Sequence, residues 1–244
     1  MTKSLATARN YINRAKSWLL VLLACVICNL TLASTAEGAT CPVTNTGDLP
    51  TGGSLRTCII FANGNAGADT ITFSIAGAGP HTIVPTSALP VISDPVTIDG
   101  STEPDFVTVP IVVLDGSSTG AVHGLEINSS GDGSTIRSLR IVRFSNNSIQ
   151  VQAGADGVTI AGNWIGSDGI GASGPGNGNN GINILGANAT IGGTGALDGN
   201  VINNNGNEGI NLTGGGATGN TILGNYIGLE ADSHGSSLPP RSHG

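Results

Sequence analysis

Lysine and aromatic side chains are nearly missing from this 244-residue chain. Its two lysines are Lys3 and Lys16, and aromatics make up 3% of the residues. With only scattered arginines beyond that start, there is no basic footprint to neutralise phosphates, so nucleic acid is excluded as a partner. Long uninterrupted apolar runs are missing too. The run over residues 18–23 continues less strictly to Leu32, but Cys28 and Asn29 break it below the roughly 20 residues a membrane span requires. Lys3, Arg9, Arg14 and Lys16 precede it, and the small residues Ala33-Ser34-Thr35-Ala36 follow. That order reads as a secretory signal peptide over residues 1–36, with a later cleavage near Gly38 or Ala39 as an alternative. A retained membrane helix competes with it, disfavoured by the interruption. A lipoprotein reading from Leu22-Leu23-Ala24-Cys25 is disfavoured by the apolar residues after Cys25. The expected location is therefore secreted, extracellular or cell-surface, with no membrane span left after cleavage.

Cleavage after Ala36 removes four of the nine basic residues and none of the sixteen acidic ones, so the formal charge falls from −7 to −11 with no lysine left. Such a charge keeps a repetitive β surface soluble and discourages self-association, so a monomer is expected. Of four cysteines, Cys41 and Cys58 lie beyond the signal. Export makes a disulfide between them the expectation, worth ~3 kcal/mol for a loop of about 17 residues in the chain-entropy model. Metal binding by two cysteines without a nearby histidine is the weaker reading, and neither a metal nor another cofactor is expected.

What is abundant is a three-beat rhythm. The first beat reads Leu125-Glu126-Ile127, Ile149-Gln150-Val151, Ile182-Asn183-Ile184 and Ile210-Asn211-Leu212. A second places Thr then Ile at 135–136, 159–160, 190–191 and 221–222. The third is Leu139-Arg140-Ile141, Asn163-Trp164-Ile165, Asn200-Val201-Ile202 and Asn225-Tyr226-Ile227. Three short alternating strands per repeat, joined by Gly/Asn turns, mark a solenoid, because one coil cannot bury its inward face without neighbours. The expected fold is all-β: a three-sheet parallel β-helix over residues 69–230. Thr-Ile pairs at 70–71, 82–83 and 97–98 show the rhythm starting before it becomes regular. Residues 41–68 are expected to cap the first coil. Within them, residues 53–63 place apolar side chains at helical spacing behind Ser54 as N-cap, with Asn63-Gly64 as the stop. Residues 231–244 carry no further beat and are expected to be a disordered or truncated tail.

The segment from Cys41 to Asn63, with Ser54-Leu55-Arg56 followed by Ala62-Asn63, resembles the amino-terminal cap of large secreted bacterial right-handed parallel β-helix proteins. That motif reads Cys-Ser-Leu-Arg-Glu-Ala; here Gly53 stands at its cysteine and Thr57-Cys58 at its Glu-Ala. The repeats Gly162-Asn163-Trp164-Ile165-Gly166 and Gly224-Asn225-Tyr226-Ile227-Gly228 are similar to those of the same proteins. The resemblance implies a right-handed, pectin-lyase-like superfold. It says little of activity, since related folds host adhesins, polysaccharide lyases, hydrolases and epimerases.

Outward side chains should form columns spaced by ~4.8 Å. The threonine column reads as a β-branched ladder, because the residues two earlier supply no second threonine rank for an ice-binding face. Asn163, Asn200 and Asn225, each opening the third beat, are expected to form an internal hydrogen-bonded ladder. The column Arg140, Trp164, Val201, Tyr226 departs from ladder residues. Its aromatics fall two coils apart, ~9.6 Å, a spacing suited to stacking on alternate sugars. Arg140, Trp164 and Tyr226 are thus the candidate glycan-binding residues, with a polysaccharide or cell-surface glycan as partner and a structural or adhesive role.

A polysaccharide-active enzyme is the alternative. Its acid/base candidates are Asp168, Asp198 and His123, but no Asp-Asp pair or Gly-His-Gly occurs, and His123 otherwise reads as an exposed turn histidine. Arg137, Arg140 and Arg143 should not share one face if Ser138 is a corner, so local carboxylate pairing is expected there. The glycine-rich stretch over residues 192–198 resembles a calcium nonapeptide only once and with its Asp one place late. Asn128, Asn146, Asn188 and Asn211 head glycosylation triplets.

Overall fold

The computed structural model describes residues 37–167 and 174–228. The expected signal segment over residues 1–36, Asp168 and the expected tail over residues 231–244 lie outside these described residues. Everything described belongs to one compact unit beginning at Glu37.

Short strands form three sheets, and every strand pair is parallel. The first sheet holds β1 (Thr40–Val43), β2 (Asp69–Phe73), β4 (Val96–Asp99), β7 (Thr135–Arg137), β10 (Thr159–Ala161), β13 (Thr190–Gly192) and β16 (Thr221–Leu223). In the second, β3 (His81–Ile83), β5 (Val112–Asp115), β8 (Leu139–Val142), β11 (Trp164–Ile165), β14 (Val201–Ile202) and β17 (Tyr226–Ile227) stack in chain order. A third contains β6 (Leu125–Ile127), β9 (Ile149–Val151), β12 (Ile182–Ile184) and β15 (Ile210–Leu212). From β4 onward the chain visits first, second and third sheet in strict rotation, so strand numbers rise by three along each sheet. This arrangement fits a β-helix-like solenoid.

In-register stacking puts like on like. Ile71, Ile98, Ile136, Ile160, Ile191 and Ile222 form one column, and Ile83, Leu114, Ile141, Ile165, Ile202 and Ile227 another. In the middle coils these side chains are fully buried, each worth roughly 1.5–3 kcal/mol. The threonine rank is longer than the four regular repeats imply: Thr40, Thr70, Thr97, Thr135, Thr159, Thr190 and Thr221 all align. The Thr-Ile pair at 82–83 differs, lying on the second sheet in β3.

Corners are built from amides and left-handed residues. Ser138 turns with φ 57°. Gly166 has φ +75°, and a Cβ there would sit 2.0 Å from the Asn203 carbonyl oxygen, so only glycine lets the coils close up. The asparagine ladder runs through the interior. Asn163 Nδ2 donates to Asn200 Oδ1 at 3.0 Å and to the Ile136 carbonyl at 2.9 Å, while Asn200 Nδ2 donates to Asn225 Oδ1 and the Ile160 carbonyl, each at 2.8 Å.

The helix α1 (Leu55–Gly64) covers the first coil. Ser54 is its N-cap, its hydroxyl accepting from the Thr57 amide at 3.1 Å. Leu55, Cys58, Ile59 and Ala62 are its buried face, packed against β1 and β2. The Cys41–Cys58 disulfide, with Cα atoms 5.5 Å apart, ties α1 to β1. Among the described residues no helix is long and apolar enough to cross a membrane.

Candidate functional site

The second sheet places Arg140, Trp164, Val201 and Tyr226 side by side on β8, β11, β14 and β17. Strand alternation dictates this: Leu139 and Ile141 point into the core, so Arg140 between them faces away, and the parallel register copies that orientation from coil to coil. The Arg140 guanidinium lies 4.8 Å from the centroid of the Trp164 ring. Such a cation–π contact contributes ~0.5–1 kcal/mol at an exposed site and holds both groups in place. Trp164 and Tyr226 are half-buried, and Val201 between them is 5% exposed. These two are the sole tryptophan and tyrosine beyond residue 36, and they share one column.

The flanking arginines are engaged elsewhere. Arg137 pairs with Asp99 at 3.6 Å, and Arg143 pairs with Asp115. Asp99 and Asp115 each also cap a tight 3-10 turn, accepting from the Ser101 and Ser117 amides at 2.9 and 3.0 Å. The three arginines therefore make three separate contacts rather than one anion site, and the turn at Ser138 separates Arg137 from the other two.

Asp168 lies outside the described residues. Asp198 is spent within its own turn, Oδ2 accepting from the Gly195 amide at 2.7 Å. Among the described residues no three His, Cys, Asp or Glu side chains cluster as a metal would need.

His123 is not the exposed turn histidine that the sequence implies. It is half-buried in the wall of a cavity of about 220 Å³, shared with Ala88, Leu89, Val122, Glu126 and Asn146. Burial pushes its imidazole below the usual 6.5, and the Glu126 carboxylate pulls back only part of that. Its Nδ1 is buried without a hydrogen-bond partner. Glu126 is itself anchored, Oε1 accepting from Gln152 Nε2 at 2.7 Å. Glu126 and Asn146 were visible in the sequence only as a strand's polar residue and a glycosylation triplet. Nothing local signals that Ala88 and Leu89, from a loop over thirty residues earlier, close a wall beside them.

Outward from Glu126, the third sheet carries Gln150, Asn183 and Asn211 in register. Asn211 Nδ2 donates to Asn183 Oδ1 at 2.8 Å and Asn183 Nδ2 to Gln150 Oε1 at 2.9 Å. This amide ladder satisfies itself and needs no ligand. No family model matches the chain, and no curated protein matches it.

Proposed function

We propose that this is an exported module, a right-handed parallel β-helix that binds a glycan along its second sheet and serves a structural or adhesive role at or outside the cell surface. The observation that carries the reading is the Arg140–Trp164 stack in register with Tyr226. Two aromatic platforms ~9.6 Å apart offer apolar faces to sugar C–H groups. The right hand follows from the near-universal preference of parallel crossovers. The basic start, apolar run and Cys41–Cys58 bridge support export.

Affinity electrophoresis of the exported chain through gels containing neutral and uronate polysaccharides tests it. Trp164→Ala with Tyr226→Ala is expected to abolish retardation while leaving the circular-dichroism spectrum unchanged. Equal retardation of the double variant, or none of the parent on any glycan, would overturn the reading.

A further inference from the structure

The His123 cavity sits apart from the aromatic column, on the third sheet beside the cap, and its chemistry is of another kind. Glu126 is the one acidic side chain on its wall. Gln152 pins Oε1, which leaves Oε2 for a ligand. His123 faces the same space and is held towards its neutral form by burial. Asn146 contributes an amide, and Leu89 and Val122 contribute apolar surface. Arg56 donates to the Ala88 carbonyl on the rim at 2.7 Å. Its charge is already matched by Asp48, with Nε to Oδ1 at 2.9 Å. An anion entering this cavity would meet a carboxylate and no available cation. An ammonium would meet a fixed carboxylate oxygen, a neutral imidazole and an amide acceptor, inside a chain whose net charge is strongly negative.

We propose that the cavity bounded by His123, Glu126 and Asn146 binds a primary ammonium group carried on a body of about six carbons, the ammonium on Glu126 and the carbon body against Leu89 and Val122. A volume of about 220 Å³ has room for one such body. Amino sugars and lysine side chains both present this chemistry. The inference does not depend on the glycan reading, since it uses neither Trp164 nor Tyr226.

Proton NMR of the histidine ring signals, with the His123 resonance assigned by loss in His123→Gln, reads binding directly in the full chain. Glucosamine and Nα-acetyl-lysine methylamide are the two probes, and N-acetylglucosamine is the uncharged control. A saturable shift of His123, with Kd on the order of 1 mM for at least one charged probe and at least tenfold weaker response to the control, is expected. Response to one probe or to both then distinguishes the sources. Glu126→Gln preserves the Gln152 contact and is expected to weaken binding at least tenfold. Equal response to glucosamine and N-acetylglucosamine, no response to either charged probe at tens of mM, or undiminished binding by Glu126→Gln would each overturn the proposal.

Discussion

Asn200 is fully buried and uses every polar group it has. Its Oδ1 accepts from the Asn163 amide and side chain, its Nδ2 donates to Ile160 and Asn225, and its own amide donates to Asn225 Oδ1 at 3.0 Å. Asn200→Leu fits the apolar surroundings in size but strands the Asn163 donors and the Ile160 carbonyl. At roughly 1–3 kcal/mol for each buried group left unpaired, a loss of about 3 kcal/mol or more is expected from urea unfolding. A loss below about 1 kcal/mol would mean the ladder merely fills space. His123 makes a different prediction, on pH. Its folded pKa lies below the unfolded 6.5, so the unfolded chain binds more protons as the pH falls through that range. Stability contributed by its neutral form is therefore constant above about pH 7 and declines on acidification from there. His123→Gln should flatten that part of the slope, read as urea midpoints between pH 7.5 and 5.

At the scale of elements, the cap is held by a strap. Arg56 of α1 binds both Asp48 carboxylate oxygens, Nε to Oδ1 at 2.9 Å and Nη2 to Oδ2 at 3.0 Å, and reaches the Ser87 and Ala88 carbonyls. The Thr86 amide and hydroxyl complete the shell of Asp48 at 2.8 and 2.9 Å. Burial alone would raise the Asp48 carboxyl, but the bonds from Arg56 and Thr86 outweigh it and hold the group below 3.8. The resulting stability is present above its unfolded value and is lost as pH falls through the lower folded value. Asp48→Asn is expected to cost ~1–3 kcal/mol at pH 7 and to make unfolding below pH 4 less steep; an unchanged acid limb would sink the assignment. The helix was legible because Ser54 and the apolar spacing are local. The strap was not, because Asp48, Arg56 and Thr86 come from three separate stretches. The same distinction runs through the ladders. Asn163, Asn200 and Asn225 recur at one place in the repeat and so announce themselves. Asn177 and Asn205, joined at 2.9 Å, both fall five residues before a first beat, at Ile182 and Ile210, but Phe144 holds that place one coil earlier, so only two asparagines mark it. Arg140 and Trp164 were readable as neighbours once the coils were aligned, whereas the His123 cavity needed a wall from a distant loop.

Over the whole molecule, stability should be graded rather than uniform, because each coil rests only on the coils beside it. The amino-terminal coil is sealed: Val43 and Ile71 are fully buried beneath α1, and the disulfide fastens that helix to β1. In the middle, Ile160 and Ile165 are equally inaccessible. Amide hydrogen exchange is expected to be slow from β1 through β10, where the inward column is fully buried. Reducing the Cys41–Cys58 bridge should then act on the sealed end, lowering protection in β1, β2 and α1 by ~3 kcal/mol while leaving β16 and β17 unchanged. Equal loss of protection in β1 and in β16 on reduction would show that the coils unfold as one unit rather than as a stack of neighbours.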